Sequence, residues 1–451
     1  MKFRHTLGLV AGIAAIGLTL AACSSGGSAA PSASSTAVDG KGKTITFFTA
    51  VNTTYPQQQQ AFFKKLTAAF EKTTGAKLDI ETYTSSADEV TKIQTSAVSG
   101  QGPDVYDIGT TLTPTAYSTG AFVTLSDADW KTIGGRDRFV PASLGISGPS
   151  KDKLIAVPWQ SRPYVMVYNT KLFAAAGYDK PAATWDGLIA QAKKMTGNGV
   201  YGMAIDYKDV VNPWKYIWTF DRQSGNPIVS GKTAKIDSDT TKQAYKSYFG
   251  LLTDDKVVDP ASVGWTGPQA LADFAAGKAA MFPMTGATAQ NTLNASPVKS
   301  DYKFAVMPLV PPGHDKLPKG GVPAASILSG NSLTVADYSP NKQLAFQLVK
   351  YLTSDEIQQE QYADFGNLPV TAKAAASLQK SQPQLGPVLE AGKKSYATPF
   401  TGAWGDIQLA LLNVVTQSIP SLANGSVSDS QLSSLLSAAQ HTATTSLKQA
   451  P

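Results

Sequence analysis

Hydrophobic and polar positions begin to alternate in a structured way at Thr44. Residues 44–48 (TITFF) are β-branched and aromatic and predict a strand. Residues 56–73 (PQQQQAFFKKLTAAFEKT) then carry Phe62, Phe63, Leu66, Ala69 and Phe70 at helical spacing, with Gly75 as the stop. Alternation over 77–82 predicts a second strand, 88–99 a second helix and 104–108 a third strand. Strand, helix, strand, helix, strand is the pattern of right-handed βαβ units around a mainly parallel sheet.

The pattern recurs further along with different partners. An apolar run at 164–168 (YVMVY) predicts a strand, followed by a short helix over 170–176, and Thr184 is placed to cap a helix running to Met195. Further helices are predicted over 240–252, 267–276, 341–353 and 355–364, with strands near 279–283 and 304–307. From about Ser377 the chain is mostly helical, with helices near 407–418 and 428–447. No repeat of fixed period is visible.

Ahead of this folded sequence lies a different composition. Lys2, Arg4 and His5 form a positive head, residues 7–20 are apolar, and Ala21 and Ala22 lead into Cys23, which is the layout of an export signal. The apolar run is shorter than the roughly 20 residues a spanning helix needs. Residues 24–43 (SSGGSAAPSASSTAVDGKGK) are Ser, Gly, Ala and Pro with little to bury, and predict a flexible tether. The GKGKT in this stretch lacks the earlier glycine and the preceding strand of a phosphate loop. Cys23 is the single cysteine of 451 residues. Leu20-Ala21-Ala22-Cys23 resembles the lipobox of bacterial lipoproteins, which implies cleavage before Cys23 and lipidation of its sulfur. The alternative is a plain secretory signal with Cys23 near the cut.

Composition narrows the function classes. Some 430 residues remain after the signal, enough for two domains. The charged fraction is 16% against 42% apolar, below the roughly 25% charged of an average domain. With Cys23 committed elsewhere, neither disulfides nor thiolate metal sites are expected. His314 and His441 stand far apart without ligand-type neighbours, so a metal site or other cofactor is not expected either. The net charge of +6 falls to +4 when Lys2 and Arg4 leave, and no dense basic run suggests nucleic acid.

Catalytic constellations are absent from the pattern. There is no G-x-S-x-G, no H-E-x-x-H, and only six glutamates to pair with aspartates as glycosidase acids. Asp104 and Asp107 are expected on opposite faces of one strand, where they cannot cooperate. What stands out instead is aromatic residues beside planar polar ones in otherwise loop-like segments: VPWQSRPYVMVYN (157–169), NPWKYIWTFD (212–221) and PFTGAWGDI (399–407). Aromatic faces stack on the C–H faces of sugar rings, and Asn, Gln, Asp and Arg can hold vicinal hydroxyls. Any single tryptophan is about as well explained as core; Trp185 is expected to be structural, and Trp130 to lie on a lobe surface.

Several segments then form an ordered set. PWQSRPYVMVYNTKLFAAAGYDKPAATWDGLIAQAKKMT, DFAAGKAAMFPMTG, LAFQLVKYLTSDEIQQEQ and FGNLPVTAKA together resemble family 1 extracellular solute-binding proteins, the sugar-binding lipoproteins of bacterial ABC importers related to maltose-binding protein. The resemblance implies a type II periplasmic-binding-protein fold: two α/β lobes, crossing strands and a central cleft. It implies a signal at 1–22, a tether at 23–43, an N-terminal lobe of 44–158 plus 305–355 and a C-terminal lobe of 159–304 plus 356–447. Crossings are expected near 158–162, 302–306 and 354–360. Ligands of open α/β sheets sit at the carboxyl ends of strands, so the ligand contacts implied are Asn52, Thr53, Thr54, Thr110, Thr111, Trp159, Gln160, Arg162, Trp214, Thr288, Gly330, Asn331, Trp404 and Asp406. Gly330 and Asn331 are equally explained by a plain turn in SGNSLT.

Two departures matter. Ala287 and Thr288 follow Gly286 where relatives carry a stacking tryptophan, and Arg162 stands where the maltose-binding relatives carry an acid. Both leave room for a smaller or acidic sugar. The implied protein is a monomeric, non-enzymatic receptor, held by a lipid on Cys23 at the extracellular face of the membrane and serving an ABC permease. A receptor for a polyamine or sugar phosphate, and a secreted glycosidase, are the alternatives.

Overall fold

The computed structural model describes residues 39–450. The proposed signal, Cys23 and most of the tether lie outside the described residues. The end of the expected tether is part of the fold: the N–H of Gly40 donates to the Thr74 carbonyl, and that of Lys77 to Lys43. A Cβ on Gly40 would stand 2.6 Å from Ala76, so the chain is docked from here on.

The first lobe is built on strands β1 (Thr44–Ala50), β2 (Lys77–Tyr83), β3 (Val105–Gly109) and β4 (Ala156–Ser161). Helices Pro56–Thr74 and Ser86–Ser99 alternate with the first three, as the periodicity predicts. Arg162 and Pro163 carry the chain into the second lobe, where β5 (Tyr164–Asn169) and β6 (Tyr201–Met203) precede a small hairpin of β7 (Val229–Ser230) and β8 (Thr233–Ala234). Next come β9 (Ala279–Thr285), β10 (Tyr302–Ala305) and a short β11 (Ser326–Ile327). The chain returns to the first lobe as β12 (Gly330–Val335), and β13 (Ser395–Tyr396) later pairs with β11.

The two large sheets have the orders β2-β1-β3-β12-β4 and β10-β5-β9-β6. β1 lies parallel to β2 and β3, as expected for βαβ units. The remainder corrects the mainly parallel expectation, because β12 runs antiparallel to both neighbours and β5 runs antiparallel to β9 and β10. Strands that enter a sheet from the other lobe arrive from the cleft side, opposite to the βαβ strands.

Alternation along these strands splits each lobe into two cores. Ile45 and Phe47 face one layer of the first lobe while Phe48 faces the other. In the second lobe Met166 and Tyr168 face one layer, and Val165 and Val167 the other. Period-two side-chain direction produces this directly.

The lobe boundaries differ from those expected. Trp159 and Gln160 stay in β4 of the first sheet. Helix Asp355–Phe365, expected at a crossing and in the second lobe, packs Ile357 and Phe365 into the first core with Val370. Met307, Ala324 and Ile327 belong to the second core. Leu368 and Ser161 exchange backbone hydrogen bonds of 3.0 and 3.1 Å, and the third passage comes after Val370, whose carbonyl still accepts from Val140 of the first lobe.

Three local expectations are also corrected. NPWKYIWTFD is not a loop: Pro213–Gln223 is a helix with Trp214, Ile217, Trp218 and Phe220 all buried. The SGNSLT segment is the interior strand β12 rather than a turn. Trp130 is buried against Phe139, with ring centroids 5.9 Å apart, rather than on a surface. Among the described residues no helix is long and apolar enough to cross a membrane.

Candidate functional site

The carboxyl ends of β1 and β3 open on a cleft of about 320 Å3 between the lobes. Two buried acids form its first-lobe wall. Asp107, at the end of β3, accepts from the Thr49 hydroxyl at 2.7 Å and from the Asn331 amide at 2.6 Å. Burial pushes its carboxyl up to about 6 despite those two hydrogen bonds. Glu89, on helix Ser86–Ser99, accepts the Gly109 N–H at 2.6 Å. Burial, reinforced by the neighbouring Asp107 charge, raises it to about 8.

The second-lobe wall centres on Asn212. Its side-chain oxygen accepts from the Tyr164 hydroxyl at 2.6 Å, and its amide nitrogen donates to Asp206 at 3.2 Å. Asp209 accepts the backbone N–H groups of Val211 and Asn212, each at 2.8 Å. Burial first, then the Asp209 charge, raise Asp206 to about 8. Lys215 is buried beneath, its Nζ 5.4 Å from the centre of the Tyr164 ring and 3.4 Å from Asn212. Burial, then the positive charge of Arg162, lower Lys215 to about 8.

Arg162 sits where β4 leaves the first lobe, its backbone N–H bonded to Ser329. Its guanidinium makes no hydrogen bond or salt bridge among the described residues, yet it lines the cleft. Close backbone approach holds this junction. Gly330 takes φ of +155°, and a Cβ there would meet the Gln160 carbonyl at 2.0 Å.

Of the residues expected from sequence, Asn52, Thr53, Thr54, Thr110, Thr111, Trp159, Gln160, Arg162, Trp214, Thr288, Gly330 and Asn331 all line this one cleft. Trp404 and Asp406 do not. Trp404 is fully buried behind Trp214, and Asp406 accepts from Ser446 in a separate groove between the last two helices. The cause is that PFTGAWGDI is not a loop at its end: Trp404 and Asp406 open helix Trp404–Ala423, whose apolar face is core. Several expected residues already have partners, since Asn52 caps the turn at Tyr55 and Gln160 donates to Gln361 at 2.9 Å.

Sequence reasoning missed Glu89, Asp206, Asp209, Asn212, Tyr164 and Lys215. Tyr164, Asn212 and Lys215 lay inside quoted aromatic segments, but the acids come from separate elements and carry no local signal. Asp104 and Asp107 are indeed apart: Asp104 accepts from Ser339 and the Thr46 backbone. Among the described residues no three His, Cys, Asp or Glu side chains come together as a metal site.

Two α/β lobes facing each other over a polar cleft with aromatic walls define a two-lobe, type II solute-binding protein. The chain belongs to the bacterial extracellular solute-binding protein family, whose model matches residues 65–386; this is a family of binding proteins of ABC importers, not of enzymes. It is similar to the diacetylchitobiose binding protein DasA of Streptomyces coelicolor, 27% identical over 365 residues and 77% of each chain. It is also 27% identical, over 224 residues, to a "Probable amino-acid ABC transporter periplasmic-binding protein" of Sinorhizobium fredii. That match spans 49% of this chain and only about half, 48%, of the relative. The solved structure of maltose-bound T. maritima MalE3 superposes with a TM-score of 0.71 at 20% identity, covering 90% of this chain and 99% of the other.

Proposed function

We propose that the protein captures a carbohydrate between its lobes and delivers it to an ABC importer. The observation that carries this reading is that Trp159, Trp214 and Tyr164 share one cleft with Asn, Gln, Asp and Arg side chains. Such a lining supplies stacking faces together with donors and acceptors for ring hydroxyls. The diacetylchitobiose-binding relative and the maltose-bound neighbour agree with a sugar. A ligand that touches both walls stabilises only the closed arrangement, so it shifts the population toward closure. Micromolar affinity corresponds to about −8 kcal/mol, within reach of two aromatic faces and a handful of hydroxyl bonds.

Lipidation of Cys23 and attachment to the outer face of the membrane belong to the same proposal, supported by the Leu20-Ala21-Ala22-Cys23 motif. Mass spectrometry of the N-terminus tests it, and an unmodified Cys23 would remove the anchor. A thermal-shift screen across mono- and oligosaccharides, amino acids, polyamines and sugar phosphates tests the ligand class. Stabilisation by sugars is expected; stabilisation only by a polyamine, an amino acid or a phosphorylated compound would refute the carbohydrate reading.

A further inference from the structure

Two Asn-Gly pairs occur in the chain, Asn198-Gly199 and Asn424-Gly425, and all four residues are exposed. Before a glycine an asparagine side chain is most open to attack by its own backbone, because no Cβ shields the next nitrogen. The fold holds the two pairs differently. Asn198 and Gly199 are the central residues of the turn ahead of β6, with φ of +52° and +81°. Two left-handed residues make a type I′ turn, for which Asn-Gly is the favoured sequence. Gly197 and Val200 close the turn with backbone hydrogen bonds of 2.8 and 2.9 Å. Between them the Gly199 N–H donates to no acceptor among the described residues, and a Cβ on Gly199 would meet open space. Thr196, not Asn198, supplies the side-chain bonds of this turn, donating to the Ala192 carbonyl and accepting the Gly202 N–H, each at 2.9 Å.

Asn424 instead ends helix Trp404–Ala423, with φ of −92°. Its N–H donates to the Ser421 carbonyl at 3.0 Å, the Gly425 N–H to the Leu422 carbonyl at 3.0 Å, and the Ser426 N–H reaches back to Ser421 at 3.2 Å. The Gly425 nitrogen is thus held by the last turn of the helix and must give up a hydrogen bond before it can approach the Asn424 side chain. The two pairs share a dipeptide and differ in what holds the glycine nitrogen.

We propose that Asn198 is a site of spontaneous deamidation in the folded protein, and that the helix end protects Asn424. The Gly199 nitrogen gives its proton to solvent and attacks Cγ of Asn198. The N–Cγ bond forms, the Cγ–Nδ2 bond breaks, and Nδ2 leaves as ammonia with a proton taken from water. Water then opens the five-membered imide at either carbonyl, which leaves an aspartyl or an isoaspartyl linkage; nothing is oxidised or reduced. The aspartyl product fits the turn, since aspartate also visits the left-handed region. The isoaspartyl product adds a main-chain carbon between Gly197 and Val200 and breaks their pair of bonds. β6 begins at the next residue and is the edge of its sheet, with Tyr201 opposite Ala279 and Met203 opposite Met281. The altered turn therefore loosens an edge strand that leads directly toward Asp206 in the cleft wall.

The test incubates the full-length chain at mildly alkaline pH and body temperature, once folded and once unfolded in urea. Peptides covering both pairs are then followed by mass spectrometry, which reads the mass gained when an amide becomes an acid, and isoaspartate is told from aspartate by its separate elution. In urea the two asparagines are expected to convert at comparable rates, because the dipeptide alone then acts. In the folded protein Asn198 is expected to convert several-fold faster than Asn424, with isoaspartate among its products. Asn198→Gln, whose longer side chain closes the ring far more slowly, is expected to abolish conversion at this position and leave that at Asn424 unchanged. Folded protein in which Asn424 converts as fast as Asn198 overturns the proposal. So does an Asn198 that stays intact over the time in which the urea-unfolded chain converts. The measurement needs no ligand, so its outcome is independent of the carbohydrate reading.

Discussion

The indole of Trp404, buried completely, meets that of Trp214 nearly edge-on, with ring centroids 6.0 Å apart and planes at 64°. Trp214 lines the cleft and Trp404 does not, so Trp404 fixes the position of a side chain it never shares with a ligand. Trp404→Ala is expected to lower stability by about 3–5 kcal/mol through the cavity it leaves, and to weaken ligand binding as Trp214 relaxes. Trp214→Ala is expected to weaken sugar binding more than about tenfold, while Trp214→Phe, which keeps a ring, retains most of it. Because Trp214 is only 2% exposed, its truncation also destabilises the fold, so denaturant unfolding must accompany calorimetry. Unchanged affinity in Trp214→Ala would remove it from the site.

Stability is expected to depend on pH through the acids of the cleft. Glu89 and Asp206 are raised to about 8, and Asp107 to about 6, above ordinary values of 4.5 for Glu and 3.8 for Asp. The folded state therefore binds more protons than the unfolded one between about pH 4 and 8. The stabilisation is fully present at the acidic end and is lost as pH rises toward 8. Melting temperatures should decline across this window, and Glu89→Gln, which keeps an acceptor for Gly109, should flatten the decline. A melting temperature that climbs across the window would contradict this account.

Gly366 is a second test of how the lobes are joined. It takes φ of +68°, and a Cβ there would stand 2.0 Å from the Ala287 carbonyl of the other lobe. Gly100 has a similar φ of +64° with open space around it. Gly100→Ala is expected to cost about 1 kcal/mol of backbone strain, whereas Gly366→Ala must also displace backbone at the junction and should cost clearly more. Urea unfolding of the pair decides it, and equal costs would show that the contact yields.

Arg162 lines the cleft with no side-chain partner among the described residues. Arg162→Met should leave the melting temperature of the ligand-free protein nearly unchanged while weakening ligand binding in calorimetry. A large loss of stability with intact affinity would make Arg162 a structural residue of the crossing.

Much of the fold was legible in local periodicity. The strand and helix order from Thr44 to Gly109 follows from the spacing of its apolar residues, as does the helix after Thr184, whose side chain accepts the Gly187 N–H. Helix Pro213–Gln223 was missed although Trp214, Ile217 and Trp218 are spaced for one helical face, because its aromatics beside Asn212, Lys215 and Asp221 also suit a ligand-binding loop. β12 was hidden because its buried Ser332 and Thr334 look like turn residues in sequence.

The sequence by itself determined the element order from Thr44 to Gly109, the aromatic and amide character of the cleft, and the family resemblance, because each is written in neighbouring residues. Tertiary structure alone decided which tryptophan reaches the cleft and which stands behind it. It also brought Glu89, Asp107, Asp206 and Asp209 to facing walls and joined the lobes through hydrogen bonds such as Thr111 to Gln408 and Asn291 to Ala363. Those relationships join residues from distant parts of the chain, and they exist only once burial of two separate cores has set the lobes face to face.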